Sequence, residues 1–217
     1  MKSDYETYKT WHHETQLEAV VTALEKRDFH AGYVTTVDDA NQVLLDTIPA
    51  DASVGVGGSV TIRELGILDK LTKRGNTVAQ HWKGGSTTLT NREIRQNEGL
   101  SDYYLTSANA ITRHGDIINI DGIGNRVAHM IFGPEHVIIV AGYNKIVDDI
   151  DSGITRSKEI AAVMNAQRIG SKTPCQKTGR CSDCTAPGRI CRVTTIIQYR
   201  PWQTNILVLL VNAQLGF

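Results

Sequence analysis

The amino-acid sequence predicts an α/β fold: a doubly wound, mainly parallel sheet with a cysteine-rich loop near the C-terminus. Three observations support this prediction. Short β-rich runs alternate with helical stretches along most of the chain, a glycine turn joins one strand to a helix, and all four cysteines fall in one irregular stretch. We therefore expect a single domain over residues 1–217, with N-terminal helices in residues 1–30 and a cysteine-rich excursion over residues 170–192.

The individual elements follow from hydrophobic spacing and from helix-ending residues. Apolar residues at helical spacing in segment 4–27 predict one or two helices. An amphipathic pattern begins at Val60, and Gly75 predicts the end of that helix after residue 74. The remaining predictions are strands over 32–36, 53–56, 103–106, 117–120, 136–140 and 206–211, and helices over 37–45, 124–132 and 148–164.

Composition excludes several classes of partner. The chain has 23 basic and 23 acidic side chains in 217 residues, so no overall field favours nucleic acid or an anionic membrane. An anionic ligand must therefore be held by local groups. The longest apolar runs are too short to cross a bilayer, and the N-terminus lacks the apolar core of a secretory signal. We expect a cytoplasmic protein with neither a nucleic-acid nor a membrane partner.

The glycine turn is the first candidate ligand site. Gly57, Gly58 and Ser59 lie between a strand and a helix, where a parallel sheet presents helix N–H groups to ligands. A phosphate or carboxylate suits this position, and Thr61 adds a second hydroxyl. The turn lacks the third glycine of a dinucleotide fingerprint and the lysine of a Walker loop. A purely structural alternative is a capping box, because Thr61 and Glu64 have the required spacing.

Polar side chains also follow two later strands. Asp121 is a candidate general base, and Arg126 is a candidate clamp for an anion. The alternative is that the glycines simply form turns, with segment 113–116 making a hairpin. Lys145 follows another strand and adds a possible cation at this edge, although a lone lysine is usually solvated. The further candidates are two amides that fix ligand groups and two glycines that let the backbone turn: Asn109, Asn125, Gly122 and Gly124.

The four cysteines have a spacing that is typical of a metal or cluster site. Cys181 and Cys184 form a Cys-x-x-Cys pair, and Cys175 and Cys191 flank it. Four thiolates suit either tetrahedral zinc or an iron–sulfur cluster. One close pair with two single flanking cysteines favours a 4Fe–4S cluster slightly over zinc. Disulfides or idle thiols are the remaining alternatives, and disulfides are a poor explanation in a reducing compartment.

Together these motifs resemble the LUD-domain family, also called lactate utilization proteins. The resemblance is carried by segments 54–59 (VGVGGS), 106–112 (TSANAIT), 120–128 (IDGIGNRVA) and 142–147 (GYNKIV), and by the cysteine block over 173–191. It implies a fold similar to those of ribose-5-phosphate isomerase, glucosamine-6-phosphate deaminase and CoA-transferases. It also implies that a ligand binds at the glycine turn, at Asn109 and over residues 121–126.

The family resemblance implies a component of lactate or related 2-hydroxy acid oxidation, working with redox partner subunits. In that interpretation the cysteines hold a 4Fe–4S cluster and the sheet edge holds a small anionic substrate. A second interpretation is an isomerase or CoA-transferase-like enzyme on a phosphorylated or CoA-linked substrate, with Asp121 as general base and a structural zinc. A third is a non-catalytic partner or regulatory protein.

Overall fold

The centre of the protein is a six-stranded, fully parallel sheet in a computed structural model that describes residues 4–82 and 88–217. The three residues before Asp4, which begin the predicted 1–30 helical segment, lie outside the described residues. In spatial order the strands are β1 (His30–Val34), β10 (Asn205–Val211), β7 (His136–Gly142), β4 (Tyr103–Thr106), β2 (Val54–Val56) and β3 (Val78–Gln80).

Helices cover both faces of this sheet, which confirms the doubly wound α/β prediction. Successive residues of a strand face opposite sides: in β4, Tyr104 packs into one apolar cluster and Leu105 into the other. The helices are α1 (Asp4–Glu25), α2 (Val37–Thr47), α3 (Val60–Glu64), α4 (Ile67–Arg74), α5 (Asn91–Gly99), α6 (Asn125–Ile131), α7 (Ile150–Arg156), α8 (Val163–Arg168) and α9 (Pro174–Thr178). Among the described residues, no helix is long and apolar enough to cross a membrane.

A second sheet of four strands lies beside the first. Its order is β8 (Ile146–Val147), β5 (Ala110–Thr112), β6 (Ile117–Asp121) and β9 (Val193–Ile197), and β6 runs antiparallel to both of its neighbours. The strand predicted over 117–120 therefore belongs to this sheet and not to the parallel one. The hairpin predicted over 113–116 is confirmed, with Gly115 at a φ of 87°.

Two predicted helices differ from those observed. The helix expected over 60–74 is two helices, α3 and α4, because Gly66, which lies between them and precedes α4, takes a left-handed φ of 68°. The helix expected over 148–164 instead runs from α7 to α8 through a π-helical segment, Ser157–Ala162. Hydrophobic periodicity does not show either change of helical geometry.

The N-terminal segment forms one helix, α1, rather than two. The described elements that were not predicted are short or flank the candidate site: β3, β5, β8, β9, α5, α9 and the 3₁₀ turn Tyr143–Lys145. The excursion over 170–192 is largely irregular, as expected, with α9 as its helical turn.

We expect Gly55→Ala to destabilise the protein strongly. A Cβ at this position in β2 would overlap the backbone carbonyl of Glu98, which cannot move without shifting α5. Overpacking of this kind costs about 1–3 kcal/mol or more. Urea denaturation followed by circular dichroism measures the loss. Gly32→Ala in β1 is the matched control, since its Cβ would meet no atom within 4 Å. Equal stability losses in the two variants would contradict this explanation.

Candidate functional site

A small cavity lies where the glycine turn, the segment after β4 and the end of β6 come together. Its volume is about 120 Å³. The polar lining residues are Ser59, Thr61, Ser107, Asn109, Asp121, Arg126, Lys145, Ser157 and Asn165, and Gly58, Gly122, Ala161, Ile190 and Phe217 are among the other lining residues. Eight of the predicted site residues line this one cavity: Gly58, Ser59, Thr61, Asn109, Gly122, Asp121, Arg126 and Lys145.

Lys145 is a buried cation of this cavity and not a solvated surface lysine. Only 3 % of the residue is exposed, and its Nζ donates hydrogen bonds to Thr61 Oγ1 at 3.0 Å and Ser107 Oγ at 3.1 Å. Within the described ranges, no carboxylate forms an ion pair with it. Burial lowers the pKa of Lys145 to about 7, with smaller contributions from the charges of Arg156 and Arg126 and an opposing one from Glu64.

Arg126 is the hub of the hydrogen-bond network behind the cavity. Its Nε donates to Asp121 Oδ1 at 2.9 Å, and its Nη1 donates to Ser107 O at 2.9 Å and Asn119 Oδ1 at 2.6 Å. Its Nη2 donates to Asn109 Oδ1 at 3.1 Å and to a backbone carbonyl of β6. The guanidinium is therefore engaged by protein oxygens on every nitrogen. Its predicted role as an anion clamp stays a prediction.

Asp121, the predicted general base, is held by two hydrogen-bond donors. One carboxylate oxygen pairs with Arg126, and the other accepts a hydrogen bond from the backbone N–H of Val127 at 3.2 Å in the first turn of α6. Asp121 thus positions both the arginine and the helix, and it also lines the cavity. Base catalysis by this residue stays a prediction.

Arg156, on α7, is a second buried cation that the sequence prediction missed. It is 9 % exposed and is not among the residues that line the cavity, and in the described part of the chain its guanidinium donates to main-chain oxygens, those of Asn144, Asn109 and Phe217. Burial lowers the pKa of Arg156 to about 10, so it stays charged at neutral pH. The sequence around Arg156 contains no motif that would predict a buried arginine, because a single arginine in a helix is usually exposed.

The helix after the glycine turn is capped by Ser59 and not by the predicted capping box of Thr61 and Glu64. Ser59 caps α3, with its Oγ accepting a hydrogen bond from Ile62 N at 3.3 Å. The side chain of Thr61 instead faces Lys145, and Glu64 accepts a hydrogen bond from Gly216 N at 2.6 Å. The capping-box interpretation of Thr61 and Glu64 is therefore wrong, because Ser59 begins the helix two residues earlier.

Three predicted residues lie outside the cavity. Gly57 is buried behind it, and a Cβ there would come within 2.7 Å of the Tyr104 hydroxyl and 3.1 Å of Arg126 Cγ. Gly124 and Asn125 line a separate depression between α5 and α6. The close approach at Gly57 therefore serves packing around the arginine, while Gly124, at a φ of 91°, begins α6.

An aromatic and cationic cluster lies next to the exposed side of the turn. A Cβ on Gly58 would lie 3.4 Å from atoms of His81 and Trp82. The guanidinium carbons of Arg63 and Arg168 lie 3.3 and 4.6 Å from the centre of the Trp82 ring. Arg168 also donates to Asn165, which lines the cavity, so this cluster adds positive charge close to the cavity.

The four cysteines do not form a metal site as they are placed. Among the described residues, no group of three or more histidine, cysteine or acidic side chains is close enough to hold an ion. All four thiols are half-buried and outside disulfides, and hydrogen bonds engage two of them: Cys175 Sγ lies 3.2 Å from Thr173 Oγ1, and Cys181 Sγ accepts from Asp183 N at 3.4 Å. Binding of a 4Fe–4S cluster or of zinc by these four cysteines stays a prediction.

We expect Arg126→Leu to cost about 3–5 kcal/mol of unfolding free energy, because it leaves the carboxylate of Asp121 buried without its partner. The matched control is the exposed pair of Arg113 and Asp148, whose Nε–Oδ1 distance is 3.0 Å. Arg113→Leu should change stability by less than about 1 kcal/mol. Chemical denaturation of both variants checks this, and a loss at Arg126 no larger than at Arg113 would refute the hub role.

Comparison with known proteins agrees with the sequence motifs. The family that matches is described as the LUD domain, and the match spans residues 17–211. No curated protein matches the chain. A similar solved structure is that of a DUF162 family protein from Deinococcus radiodurans, with 15 % sequence identity, a TM-score of 0.48, and coverage of 93 % of this chain and 98 % of that one. Since the family match covers nearly the whole chain, this protein belongs to the LUD-domain family.

Proposed function

We propose that this protein binds a small 2-hydroxy carboxylate, such as lactate, in the Lys145 cavity as a component of its oxidation in the cytoplasm. The observation that carries the proposal is the buried ammonium of Lys145 in the lining of the cavity, with the buried Arg156 nearby; in the described part of the chain neither forms an ion pair with an Asp or Glu side chain. The association of the LUD-domain family with lactate utilization supports the choice of substrate class.

The charge balance of the cavity favours an anion. Arg126 and Asp121 form an ion pair and cancel one another. Glu64 is engaged by a backbone N–H of the C-terminal segment. Lys145 in the lining and Arg156 nearby therefore add positive charge, which Glu64 offsets in part, in a region of low dielectric where an incoming carboxylate is held more strongly than in water.

The size of the cavity favours a small molecule. A volume of about 120 Å³ is well below the roughly 300–1,000 Å³ of pockets that enclose drug-sized ligands. A three-carbon acid fits this space better than a CoA ester. The hydroxyls of Ser59, Thr61 and Ser107 and the amide of Asn109 supply hydrogen-bond partners for a carboxylate and a neighbouring hydroxyl.

Oxidation of a 2-hydroxy acid to a 2-oxo acid releases two electrons and two protons. In this proposal the electrons pass to an iron–sulfur partner subunit, and the residues of this chain bind and orient the acid. Lys145 lies at a pKa near the operating pH, so its neutral form can take up the hydroxyl proton. Asp121 is the other candidate base.

Binding of L-lactate should weaken as the pH rises. The acid stays ionised from pH 5.5 to 9, whereas the ammonium of Lys145 loses its proton as the pH passes its pKa of about 7. We expect a roughly tenfold loss of affinity across this range, because one charge-assisted contact is removed. Titration calorimetry measures it.

Lys145→Met should bind as weakly at pH 5.5 as the unaltered protein does at pH 9, and its affinity should not vary with pH. Lys73→Met, at an exposed lysine of α4, is the matched control and should keep both the affinity and the pH profile. Melting curves confirm that each variant is folded. If the unaltered protein bound L-lactate with the same affinity from pH 5.5 to 9, the role of Lys145 would be refuted.

A second candidate function is an isomerase or CoA-transferase-like activity on a phosphorylated or CoA-linked substrate. The cationic cluster of Arg63, Arg168 and Trp82 favours it, since two guanidiniums with no carboxylate partner among the described residues suit a phosphate. Titrations with ribose 5-phosphate and acetyl-CoA distinguish the two. Binding of either that is tighter than that of lactate, and weakened by Arg63→Ala, would favour this second function.

The 4Fe–4S cluster, with zinc as the alternative, stays a proposal with its own test. Gathering four thiolates on one ion or cluster requires the loop over 173–191 to rearrange from its present conformation. Anaerobic purification followed by iron, sulfide and zinc analysis checks this. Stoichiometric metal that is lost in Cys184→Ser would confirm the site, and a metal-free protein would contradict it. Lys73→Met again serves as the matched control.

A further inference from the structure

We propose that the side chain of Lys145 forms an imine with a 2-oxo acid bound in the cavity. This inference rests on the proposed function, because it assumes that the cavity accepts a small carboxylate. It goes further by assigning a covalent step to this chain itself. The 2-oxo acid is the class of product that oxidation of a 2-hydroxy acid yields, so the same cavity would meet it in every turnover.

The position of Lys145 favours its neutral, nucleophilic form. Taking an ammonium out of water without a carboxylate partner is costly, so burial shifts the group towards the free amine. Arg156, from α7, and Arg126, from α6, add positive charge nearby, while Glu64, from α3, is the acidic group that opposes them. A lysine that is desolvated and close to other cations is the usual arrangement of an amine nucleophile.

Two hydroxyl groups lie where proton transfer is needed. Thr61 Oγ1 and Ser107 Oγ lie 3.0 and 3.1 Å from Nζ, and 3.2 Å from one another. They form a short relay that can accept a proton from the attacking amine and return it to the departing oxygen. A Cβ at Gly216 would lie 3.3 Å from Nζ and would overlap the Thr61 hydroxyl, so the glycine leaves room for this group.

The chemistry balances without a further reactant. The nitrogen of the neutral amine bonds to the carbonyl carbon, and the carbonyl oxygen takes up a proton to give a carbinolamine. The carbon–oxygen bond then breaks, and the oxygen leaves as water with both of the amine's protons. No electron is gained or lost. The carboxylate of the 2-oxo acid stays ionised throughout, and Arg156 adds positive charge near the amine.

Reductive trapping tests the inference on the unaltered, full-length protein. The protein is incubated with pyruvate and sodium borohydride, and adducts are located by intact and peptide mass spectrometry. A lysine of pKa about 7 is half neutral at pH 7. An ordinary lysine is neutral there in fewer than about one molecule in a thousand, so we expect the adduct at Lys145 to exceed that at Lys73 by at least about tenfold.

Two controls identify the cause of an adduct at Lys145. L-lactate, which has no carbonyl carbon, should give no adduct alone and should lower the yield with pyruvate by competing for the cavity. Lys145→Arg keeps the charge but lacks the primary amine, and should give only the background seen at Lys73.

The outcomes separate the inference from the proposed function. Lactate binding in calorimetry without a pyruvate adduct at Lys145 would overturn the imine and leave carboxylate binding intact. Absence of both the adduct and lactate binding would overturn the two together. An adduct spread evenly over exposed lysines would also overturn the imine, because it would show ordinary surface reactivity.

Discussion

Burial of the Arg126 guanidinium between the two sheets is the interaction on which the candidate site depends. Its donors reach Ser107 beyond the parallel strand β4, Asn109 before β5, and Asn119 and Asp121 of β6. A single planar group with five N–H donors thus joins two sheets that share no strand and that also pack against each other through one apolar cluster. Three of these partners, Ser107, Asn109 and Asp121, line the cavity together with Arg126.

The hydrogen-bond network of Arg126 also affects the charge at the cavity, because Arg126 and Asp121, which both line it, pair with one another. Because Asp121 is paired with Arg126, the further positive charge at the cavity comes from Lys145 and, nearby, Arg156, with Glu64 acting against it. Burying a cation without an Asp or Glu partner lowers the stability of the folded protein. Such residues are found most often at functional sites, where a bound anion can pair with the cation or where a neutral amine is needed for chemistry. The charge of the site is therefore set by which arginine has an acidic partner, and not by the number of basic residues near it.

The sequence predicted the edge of the sheet and most of the residues that meet there, since polar residues after consecutive strands converge by topology. It did not predict the burial of Lys145. That burial depends on the 3₁₀ turn after β7 and on segment 215–217 closing over Thr61, contacts that join residues distant in the chain. Arg156 was missed for the same reason. The sequence also did not predict the break at Gly66, because a glycine within an amphipathic pattern interrupts a helix only in some backbone conformations, such as the left-handed one found here.

The cysteine-rich loop forms part of the wall of the cavity. Ile190 lines the cavity, and a Cβ on Gly122 would lie 3.0 Å from the Ile190 carbonyl, so the loop packs directly on the end of β6. Arg189 holds the loop in its present shape by donating to the carbonyls of Cys184 and Cys191. The cysteine-rich loop and the candidate site therefore share one wall of the cavity.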